Sequence, residues 1–342
     1  METFIVQNWN KYLNDYPPEQ KDIYFTEEYV KLYESEVDKA LCAVCTDNIR
    51  TMIFPFLRRT CALGVDFETA YGYGGPISNT NDYEWNNKAL ERIGKLFKNE
   101  GYVCGFIRFH PIINNQDICH KEMRVFFDRP TVSIDLRHSE EDIWKSQIIS
   151  KNRNMIRKAE KNDLVYAAEY DFASVDDFIK LYLDTMKRIG ADDFYCFDKS
   201  YFYRFAEVFK GRSFLGTVRK DGLMICAAMF MYSKRYGHYH LEGSNHNYSS
   251  LGANNFLLWK TALELKKNGV EEFHLGGGYN SDSENSLLKF KKSFSSNLKN
   301  FYIGKWIFDE EKYIKIKENW RVMNPLSASK YSQLLLCYRF MD

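Results

Sequence analysis

Residues 239–278 read YHLEGSNHNYSSLGANNFLLWKTALELKKNGVEEFHLGGG, and within them the pattern changes from strand to helix and back to strand. A strand ends near Gly243, a loop follows, and an apolar stripe predicts a helix over 252–268. Gly269 is typical of a helix end, and 271–275 has the apolar character of a second strand.

The segments around this stretch predict a mixed, mostly antiparallel sheet with helices packed on it. Two helices and two strands precede the stretch, and Lys220-Asp-Gly222 is a tight turn between those strands. One helix and one strand follow it. The predicted ranges are 175–189 and 199–210 for the first two helices, 213–218 and 223–232 for the strands, then 285–294 and 300–308 for the last helix and strand.

The first half of the chain has a looser version of the same order. A glycine-rich loop, Tyr71-Gly-Tyr-Gly-Gly-Pro76, precedes a helix over 84–98 that has its own apolar stripe. A basic helix over 141–161 leads into the second half. The remaining predicted elements are a helix at 26–34 and strands at 39–46, 51–58, 101–109 and 124–136.

A chain of 342 residues is long enough for two domains. We therefore predict an α/β fold of the α+β kind. It has two tandem domains, each a mixed and mostly antiparallel sheet flanked by helices, with a cleft between them. The predicted domains are 1–143 and 144–308, and residues 309–342 form a helical tail that packs back on the first domain.

Composition and charge argue against several classes of protein. A net charge of +1 does not favour binding of DNA or RNA through bulk electrostatics. No apolar run approaches the ~20 residues of a membrane helix, and the first residues do not resemble a signal peptide. The eight cysteines are scattered, and Cys42 and Cys45 lack a second ligand pair. We therefore expect reduced thiols, no metal site and a cytoplasmic location.

Seven strings between residues 71 and 294 resemble those of the Fem-type aminoacyltransferases and their GNAT-like relatives. They are Tyr71-Gly-Tyr-Gly-Gly-Pro76, Phe106-Ile-Arg-Phe-His-Pro111, Asn152-Arg-Asn-Met-Ile-Arg-Lys-Ala159, Tyr239-His-Leu-Glu-Gly-Ser244, Leu251-Gly-Ala-Asn-Asn-Phe-Leu-Leu-Trp259, His274-Leu-Gly-Gly-Gly278 and Leu288-Lys-Phe-Lys-Lys-Ser-Phe294. The resemblance implies tandem GNAT-like domains in the short form without a coiled-coil arm. It also implies that the strands ending near Gly243 and Gly276 separate to admit an acyl donor.

The same resemblance implies a reaction. Fem-type proteins are bacterial enzymes of cell-wall biogenesis that move an amino acid from aminoacyl-tRNA to an amine of a peptidoglycan precursor. We therefore expect transfer of an aminoacyl or acyl group to a primary amine of a cell-envelope precursor, without a firmly implied cofactor. A lipid-linked acceptor would bring the chain to a membrane surface. The first alternative is a CoA-dependent GNAT N-acyltransferase acting on an amino sugar or small amine, and the second is a non-catalytic binding protein.

Lys291 is the first candidate for catalysis. It matches the lysine that in Fem-type proteins is thought to stabilise the oxyanion of the tetrahedral intermediate. Lys289 and Lys292 lie close by and compete for this role. A solvated lysine on an amphipathic helix is the alternative interpretation.

Tyr239 and Glu242 lie on the strand that borders the expected separation. Tyr239 matches a tyrosine that contacts substrate in the family. Strict alternation along a strand places positions 239 and 242 on opposite faces, so we expect at most one of them to point into the site.

Basic residues are candidates for contacts with phosphate. By position, Arg188 resembles an arginine that binds the pyrophosphate of the acceptor, and a guanidinium suits that task. Arg153 and Arg157 lie four residues apart on one helical face, which is suited to phosphate or a tRNA backbone but is also typical of a solvated face.

Further candidates lie in the first half. Arg108 and His110 share one strand face in a segment that lines the interdomain groove of relatives, although a buried histidine is often only a satisfied core group. Tyr73, in the glycine-rich loop, is a candidate substrate contact.

The segment Ser249-Ser-Leu-Gly-Ala-Asn254 departs from the phosphate loop of CoA-using GNAT enzymes, Arg/Gln-x-x-Gly-x-Gly/Ala. The first basic or amide residue is missing, and Asn254 replaces the second small residue. This favours a donor other than acyl-CoA. Gly276 and Gly277 would let the backbone approach a ligand closely.

Overall fold

The computed structural model describes residues 1–119, 121–192, 195–282 and 284–342. The strands are β1 (Glu2–Val6), β2 (Asp38–Thr46), β3 (Thr51–Cys61), β4 (Gly64–Glu68), β5 (Ile77–Ser78), β6 (Tyr102–Arg108), β7 (Arg124–Asp135), β8 (Val165–Glu169), β9 (Ser213–Lys220), β10 (Leu223–Tyr232), β11 (Tyr236–Ser244), β12 (Glu272–Gly277) and β13 (Leu298–Ile307). The helices are α1 (Asn10–Leu13), α2 (Glu27–Lys31), α3 (Tyr83–Asn99), α4 (Glu140–Asp142), α5 (Ser150–Lys161), α6 (Val175–Ile189), α7 (Lys199–Val208), α8 (Ala253–Lys267), α9 (Ser286–Lys292), α10 (Glu310–Met323) and α11 (Pro325–Tyr331).

The chain divides into two compact units, Met1–Asp128 with Asn300–Asp342 (unit 1) and Arg129–Lys299 (unit 2). In unit 1 the strand order is β1-β2-β3-β4-β6-β13, and only β4 and β6 in this row run parallel. The apolar stripe of α3 packs on this sheet, because Leu90, Ile93 and Phe97 are fully buried in its core. Asp82 starts the helix by accepting a hydrogen bond from the backbone N–H of Trp85.

Unit 2 has the strand order β7-β12-β11-β10-β9-β8, and only β11 and β12 in this row run parallel. Helix α8 connects these two strands and is buried on most of its faces, with Phe256, Leu257 and Leu258 buried in succession. The fold class is therefore the mixed, mostly antiparallel α/β arrangement that the sequence predicts.

Both units share one topology of four antiparallel strands, a helix, a parallel strand and a closing antiparallel strand. The closing strand of unit 1 is β13, and that of unit 2 is β7. The units are therefore defined by strand pairing, and the segment of unit 2 lies in the chain between the two segments of unit 1. The domains predicted at 1–143 and 144–308 follow chain order instead, so their limits differ from those of the units.

The predicted basic helix over 141–161 is interrupted. Helix α4 continues into a π-turn at Ile143–Gln147, residues 148 and 149 are extended, and α5 then starts at Ser150. The guanidinium of Arg153 donates hydrogen bonds to the carbonyl oxygens of Trp144, Lys145 and Ile148. These bonds satisfy carbonyl groups that an uninterrupted helix would have used internally.

Candidate active site

Strands β11 and β12 separate after a short parallel pairing. Residues 236–238 lie opposite residues 272–274. Beyond them β11 stays paired with β10 through Ser244, whereas β12 stays paired with β7 through Gly277. The strands therefore diverge, and the gap between their carboxyl-terminal halves is called the splay below. It lies where the sequence predicts it.

A β-bulge in β11 determines which side chains face the splay. Leu241 lies opposite Met229, and Tyr239 lies opposite the next residue, Phe230. His240 is therefore an extra residue inserted between two consecutive pairs. A bulge of this kind interrupts the alternation of side chains along a strand.

The bulge brings Tyr239 and Glu242 to the same face. His240 points to the other face, where its ring stacks on Phe205 of α7 with centroids 5.2 Å apart. Gly243 also faces that side, because a Cβ there would meet the backbone of α6. The Tyr239 hydroxyl instead donates a hydrogen bond to the Glu242 carboxylate. The expectation that at most one of the two residues points into the site was therefore wrong.

Lys291 bridges the two diverging strands. The side chain extends from α9 and is 7% exposed. Its Nζ donates a hydrogen bond of 2.7 Å to the carbonyl oxygen of Gly277 on β12 and lies 5.5 Å from the ring centroid of Tyr239 on β11. Burial lowers the pKa of Lys291 to about 7, and the nearby charge of Glu242 opposes this effect.

The other two lysines on α9 lie in solvent. Lys289 is exposed and pairs with Glu284, and Lys292 is also exposed. Of the three candidate lysines, Lys291 alone is buried, so the interpretation of a solvated lysine does not apply to it.

Glu242 is the centre of a polar cluster. Its Oε1 accepts hydrogen bonds from Nδ2 of Asn254 at 2.5 Å and from Sγ of Cys226 at 3.7 Å. Burial raises the pKa of Glu242, and hydrogen bonds from Tyr239, Ser244 and Cys226, with the charge of Lys291, partly offset this rise. The cluster thus pairs a carboxyl group that resists ionisation with an amine that loses its proton readily.

Glycines at the end of β12 allow close packing against β7 and against the residue that caps α9. Gly276 has a φ of +74°, which few other residues adopt, and the strand register shifts there. A Cβ on Gly277 would lie 2.9 Å from the carbonyl oxygen of Pro130, and one on Gly278 would lie 2.6 Å from the Asn285 side chain. Asn285 in turn caps α9, because its Oδ1 accepts from two backbone N–H groups of the first turn.

The amino-terminal end of α8 lies beside the same cluster. Gly252 is left-handed, and the helix that follows has no side-chain cap among the described residues. A Cβ at Gly252 would lie 2.6 Å from the carbonyl oxygen of Met155, so α5 packs directly on this loop. Asn254 directs its amide to Glu242, which gives this departure from the CoA loop a structural role.

The predicted arginines of unit 2 do not join this cluster. Arg188 is exposed at the end of α6. Arg153 donates its hydrogen bonds to backbone carbonyl groups at the interruption between α4 and α5. Arg157 is exposed and lies over the Trp144 ring, 5.4 Å from its centroid.

The candidates of unit 1 contact one another and their neighbours within that unit. Arg108 forms an ion pair of 2.9 Å with Glu68. His110 is fully buried, with Nε2 2.6 Å from Oδ2 of Asp22, and its Nδ1 accepts from two backbone N–H groups. Tyr73 packs edge-on against the His110 ring. These contacts suit a structural histidine.

Two residues that hydrogen-bond to elements or side chains of the site were not predicted from the sequence. Asn152, on α5, accepts from Asn255 of α8 at 2.6 Å and donates to the Ser293 carbonyl after α9 at 3.2 Å. Cys226 contributes its buried thiol to Glu242. Asn152 lies within one of the strings that carry the family resemblance, which is the signal that points to it. Cys226 has no such signal.

Residues 149–292 match the acetyltransferase (GNAT) domain family. Together with the fold, this match indicates an acyltransferase. A search of curated protein sequences gave no match. No helix in the described parts of the chain has the length and apolar character required to cross a bilayer.

Among solved structures, the fold is similar to FemX, with a TM-score of 0.73 and 14% identity over 92% of this chain and 100% of FemX. It is also similar to a tandem GNAT protein from the clavulanic acid biosynthesis pathway (TM-score 0.53, 8% identity, 90% and 99% covered). A third similar structure is the C-terminal domain of a protein described as a lysylphosphatidylglycerol synthetase from Agrobacterium fabrum (0.52, 13%, 79% and 85%). The architecture is therefore of the Fem type.

Proposed function

We propose that this protein transfers an aminoacyl group from aminoacyl-tRNA to a primary amine of a cell-envelope precursor. The observation that carries the proposal is the buried Lys291 ammonium between the diverging strands, within reach of Tyr239 and Glu242. A Fem-type fold supports the choice of this reaction within the acyltransferase class.

Lys291 is proposed to stabilise the oxyanion. When the acceptor nitrogen attacks the carbonyl carbon of the donor ester, negative charge develops on the carbonyl oxygen. A cation held in a buried site stabilises that charge more strongly than water does, and the loss of one such donor typically costs about 3–4 kcal/mol of transition-state stabilisation. The Gly277 carbonyl fixes the direction in which the Lys291 ammonium points.

Glu242 is proposed to accept the proton of the attacking amine. The new C–N bond forms, the ester C–O bond breaks, and the ribose oxygen of the donor leaves with the proton that Glu242 accepted from the amine. A carboxyl group with a raised pKa is a stronger base than an exposed one, which favours this role. Tyr239 and Asn254 hold the carboxylate in place through their hydrogen bonds.

The class of acceptor is proposed from the similar structures. FemX and the domain of a lysylphosphatidylglycerol synthetase share this fold, and the name of the second protein points to a membrane lipid product. An amine on a peptidoglycan precursor is the acceptor that we favour, since the strings of residues 71–294 resemble the Fem-type pattern.

Acyl-CoA is the second candidate donor, and the match of residues 149–292 to an acetyltransferase domain favours it. The uncapped first turn of α8 can donate N–H groups to a phosphate of either donor. The loop 249–254 lacks the basic or amide residue at its start, and Asn254 is engaged by Glu242. These features weigh against CoA.

An assay with both donors tests the proposal. Charged tRNA with a nucleotide-linked peptidoglycan precursor is compared with acetyl-CoA and an amino sugar, for wild type, Lys291→Met and the matched control Lys289→Met on the same helix. We expect transfer from tRNA only, lost by 100-fold or more in Lys291→Met and retained in Lys289→Met. Equal loss in both variants would contradict the role of Lys291.

A binding measurement separates the donors independently. A ligand at 100 times its dissociation constant stabilises a protein by about 2.7 kcal/mol. A rise in melting temperature with CoA that corresponds to this stabilisation would replace the tRNA-dependent proposal with the CoA-dependent one. Absence of transfer with either donor would favour a binding protein.

A further inference from the structure

The junction of α10 and α11 in unit 1 exposes a group of large apolar side chains. In the described chain, six such side chains are exposed by two-thirds or more, and four of them lie at this junction. They are Val322 (83%), Leu326 (76%), Met323 (74%) and Met341 (67%), together called the apolar corner. An exposed apolar cluster of this kind typically marks a surface that binds something.

Hydrogen bonds hold the apolar corner in a fixed shape. The Asp342 carboxylate accepts from the backbone N–H groups of Leu326 and Ser327, at 3.0 and 2.6 Å. The backbone N–H of Asp342 donates to the buried Asn324 side chain at 3.1 Å. Trp320 donates its indole N–H to the Phe340 carbonyl at 2.7 Å. The apolar side chains are therefore presented outward by a braced junction.

Two cations of α10 precede the apolar corner along the helix, Arg321 directly before Val322 and Lys317 one turn earlier. Lys317 and Arg321 are one turn apart on α10, and both lower the pKa of Cys337 against the larger effect of its burial, so both lie near that thiol. Burial lowers the pKa of Lys305 on β13 and the charge of Lys317 lowers it further, so these two lysines lie near each other. Glu318 is an exposed acid on the same helix, whereas the Asp342 carboxylate already accepts two backbone hydrogen bonds.

We propose that the apolar corner docks on an anionic lipid surface. Apolar side chains of this kind enter the boundary between headgroups and acyl chains, and neighbouring lysine and arginine side chains contact the lipid phosphates. This combination of a braced apolar tip and adjacent cations fits a bilayer of negative charge. The proposal does not depend on the donor or acceptor proposed above, because its residues lie outside the splay.

Vesicle flotation of the full chain tests the apolar part. Vesicles of phosphatidylcholine are compared with vesicles that also contain phosphatidylglycerol. We expect wild type to bind the second kind, and Met323→Ser with Leu326→Ser to bind at least tenfold more weakly. Ile49→Ser is the matched control, because Ile49 is 83% exposed on the β2–β3 turn of the same unit. The control is expected to bind as wild type does.

Two further variants test the contribution of the cations to vesicle binding. Lys317→Gln and Arg321→Gln are each expected to weaken binding to the anionic vesicles about fivefold at low salt. Thermal melts verify that all variants are folded. The proposal is overturned if wild type does not bind anionic vesicles, or if the double serine variant binds equally well. It is also overturned if light scattering shows a wild-type dimer that this variant lacks, since a second copy would then cover the corner.

Discussion

The Lys291 ammonium lies 2.7 Å from the Gly277 carbonyl oxygen in a site almost closed to solvent. Burial destabilises the charged form, which is why the pKa falls from 10.5 to about 7. The same burial that strengthens an interaction with an oxyanion therefore weakens the folded state. Burial of Lys291 therefore favours stabilisation of the oxyanion and lowers the stability of the fold.

Replacement of Lys291 by methionine should stabilise the fold while it removes activity. The unfolded chain binds more protons than the folded chain between about pH 7 and 10.5, so the cost of burying this lysine is complete below pH 7 and fades as the pH rises to 10.5. We expect Lys291→Met to be more stable than wild type at pH 7 by on the order of 2–4 kcal/mol, after loss of the hydrogen bond to Gly277.

Denaturant titration from pH 6 to 10.5 measures this difference. The exposed Lys289→Met variant is the control and should change stability little at any pH. A stability gain in Lys291→Met that does not shrink above pH 7 would contradict the assigned pKa shift.

The pH dependence of the rate should have two limbs that belong to Glu242 and Lys291. Activity should fall on the acid side as Glu242 protonates, at a pH above its ordinary 4.5, and on the alkaline side as Lys291 loses its proton near pH 7. Glu242→Gln should lower kcat by about 10²–10⁴ and remove the acid limb. Lys291→Arg should move the alkaline limb upward. A Glu242→Gln enzyme that keeps its acid limb would exclude Glu242 as the base.

At the scale of elements, one inserted residue in β11 sets the composition of the site. The bulge at His240 turns Tyr239 and Glu242 to one face, and the face behind them is occupied by α6 and α7. Thr185 of α6 exchanges hydrogen bonds with the backbone of Ser244, which fixes that helix on the strand. The position of the Glu242 carboxylate thus depends on the close approach between α6 and β11.

Gly243→Ala tests this approach. The new Cβ would lie 2.7 Å from the backbone nitrogen of Tyr182 and 2.8 Å from the carbonyl carbon of Leu181, so the helix or strand must move. We expect a loss of about 1–3 kcal/mol of unfolding free energy, measured by denaturant titration, together with reduced activity.

Gly222→Ala is the control for the loss of a glycine. Its φ of +82° strains an alanine, so stability falls there as well, but nothing lies within 4 Å of the new Cβ and we expect unchanged activity. Equal loss of activity in the two variants would show that the contact between β11 and α6 is unimportant for the site.

At the scale of the molecule, ion pairs fasten the end of the chain to unit 1. The Arg339 side chain is 9% exposed and pairs with Asp66 at 2.5 Å and with Glu68. Burial acts to raise the pKa of Glu68, but the guanidinium groups of Arg108 and Arg339 outweigh it and lower that pKa. Glu68 therefore contributes stability above its ordinary pKa of 4.5, and this contribution is lost as the pH falls through its lower folded value.

Arg339→Met should destabilise unit 1 by about 3–5 kcal/mol, because it leaves the buried Asp66 carboxylate without this cation. Hydrogen exchange should show the loss in Met1–Asp128 and Asn300–Asp342 and leave Arg129–Lys299 nearly unchanged. The control is Arg137→Met, since Arg137 is 65% exposed in its pair with Asp135 and should contribute little. Uniform loss of protection over both units would contradict the prediction.

The sequence determined the mixed sheet, the order of its elements and the reaction class, because apolar periodicity, glycine positions and the family strings are all local in the chain. Lys291 was identifiable for the same reason. Several features were decided only by the tertiary structure. The bulge that brings Tyr239 beside Glu242 depends on the pairing between β11 and β10. The closing strands β7 and β13 depend on pairing between segments far apart in the chain, and the pKa of Lys291 depends on burial by several elements. Each is a property of long-range contacts, which no local pattern encodes.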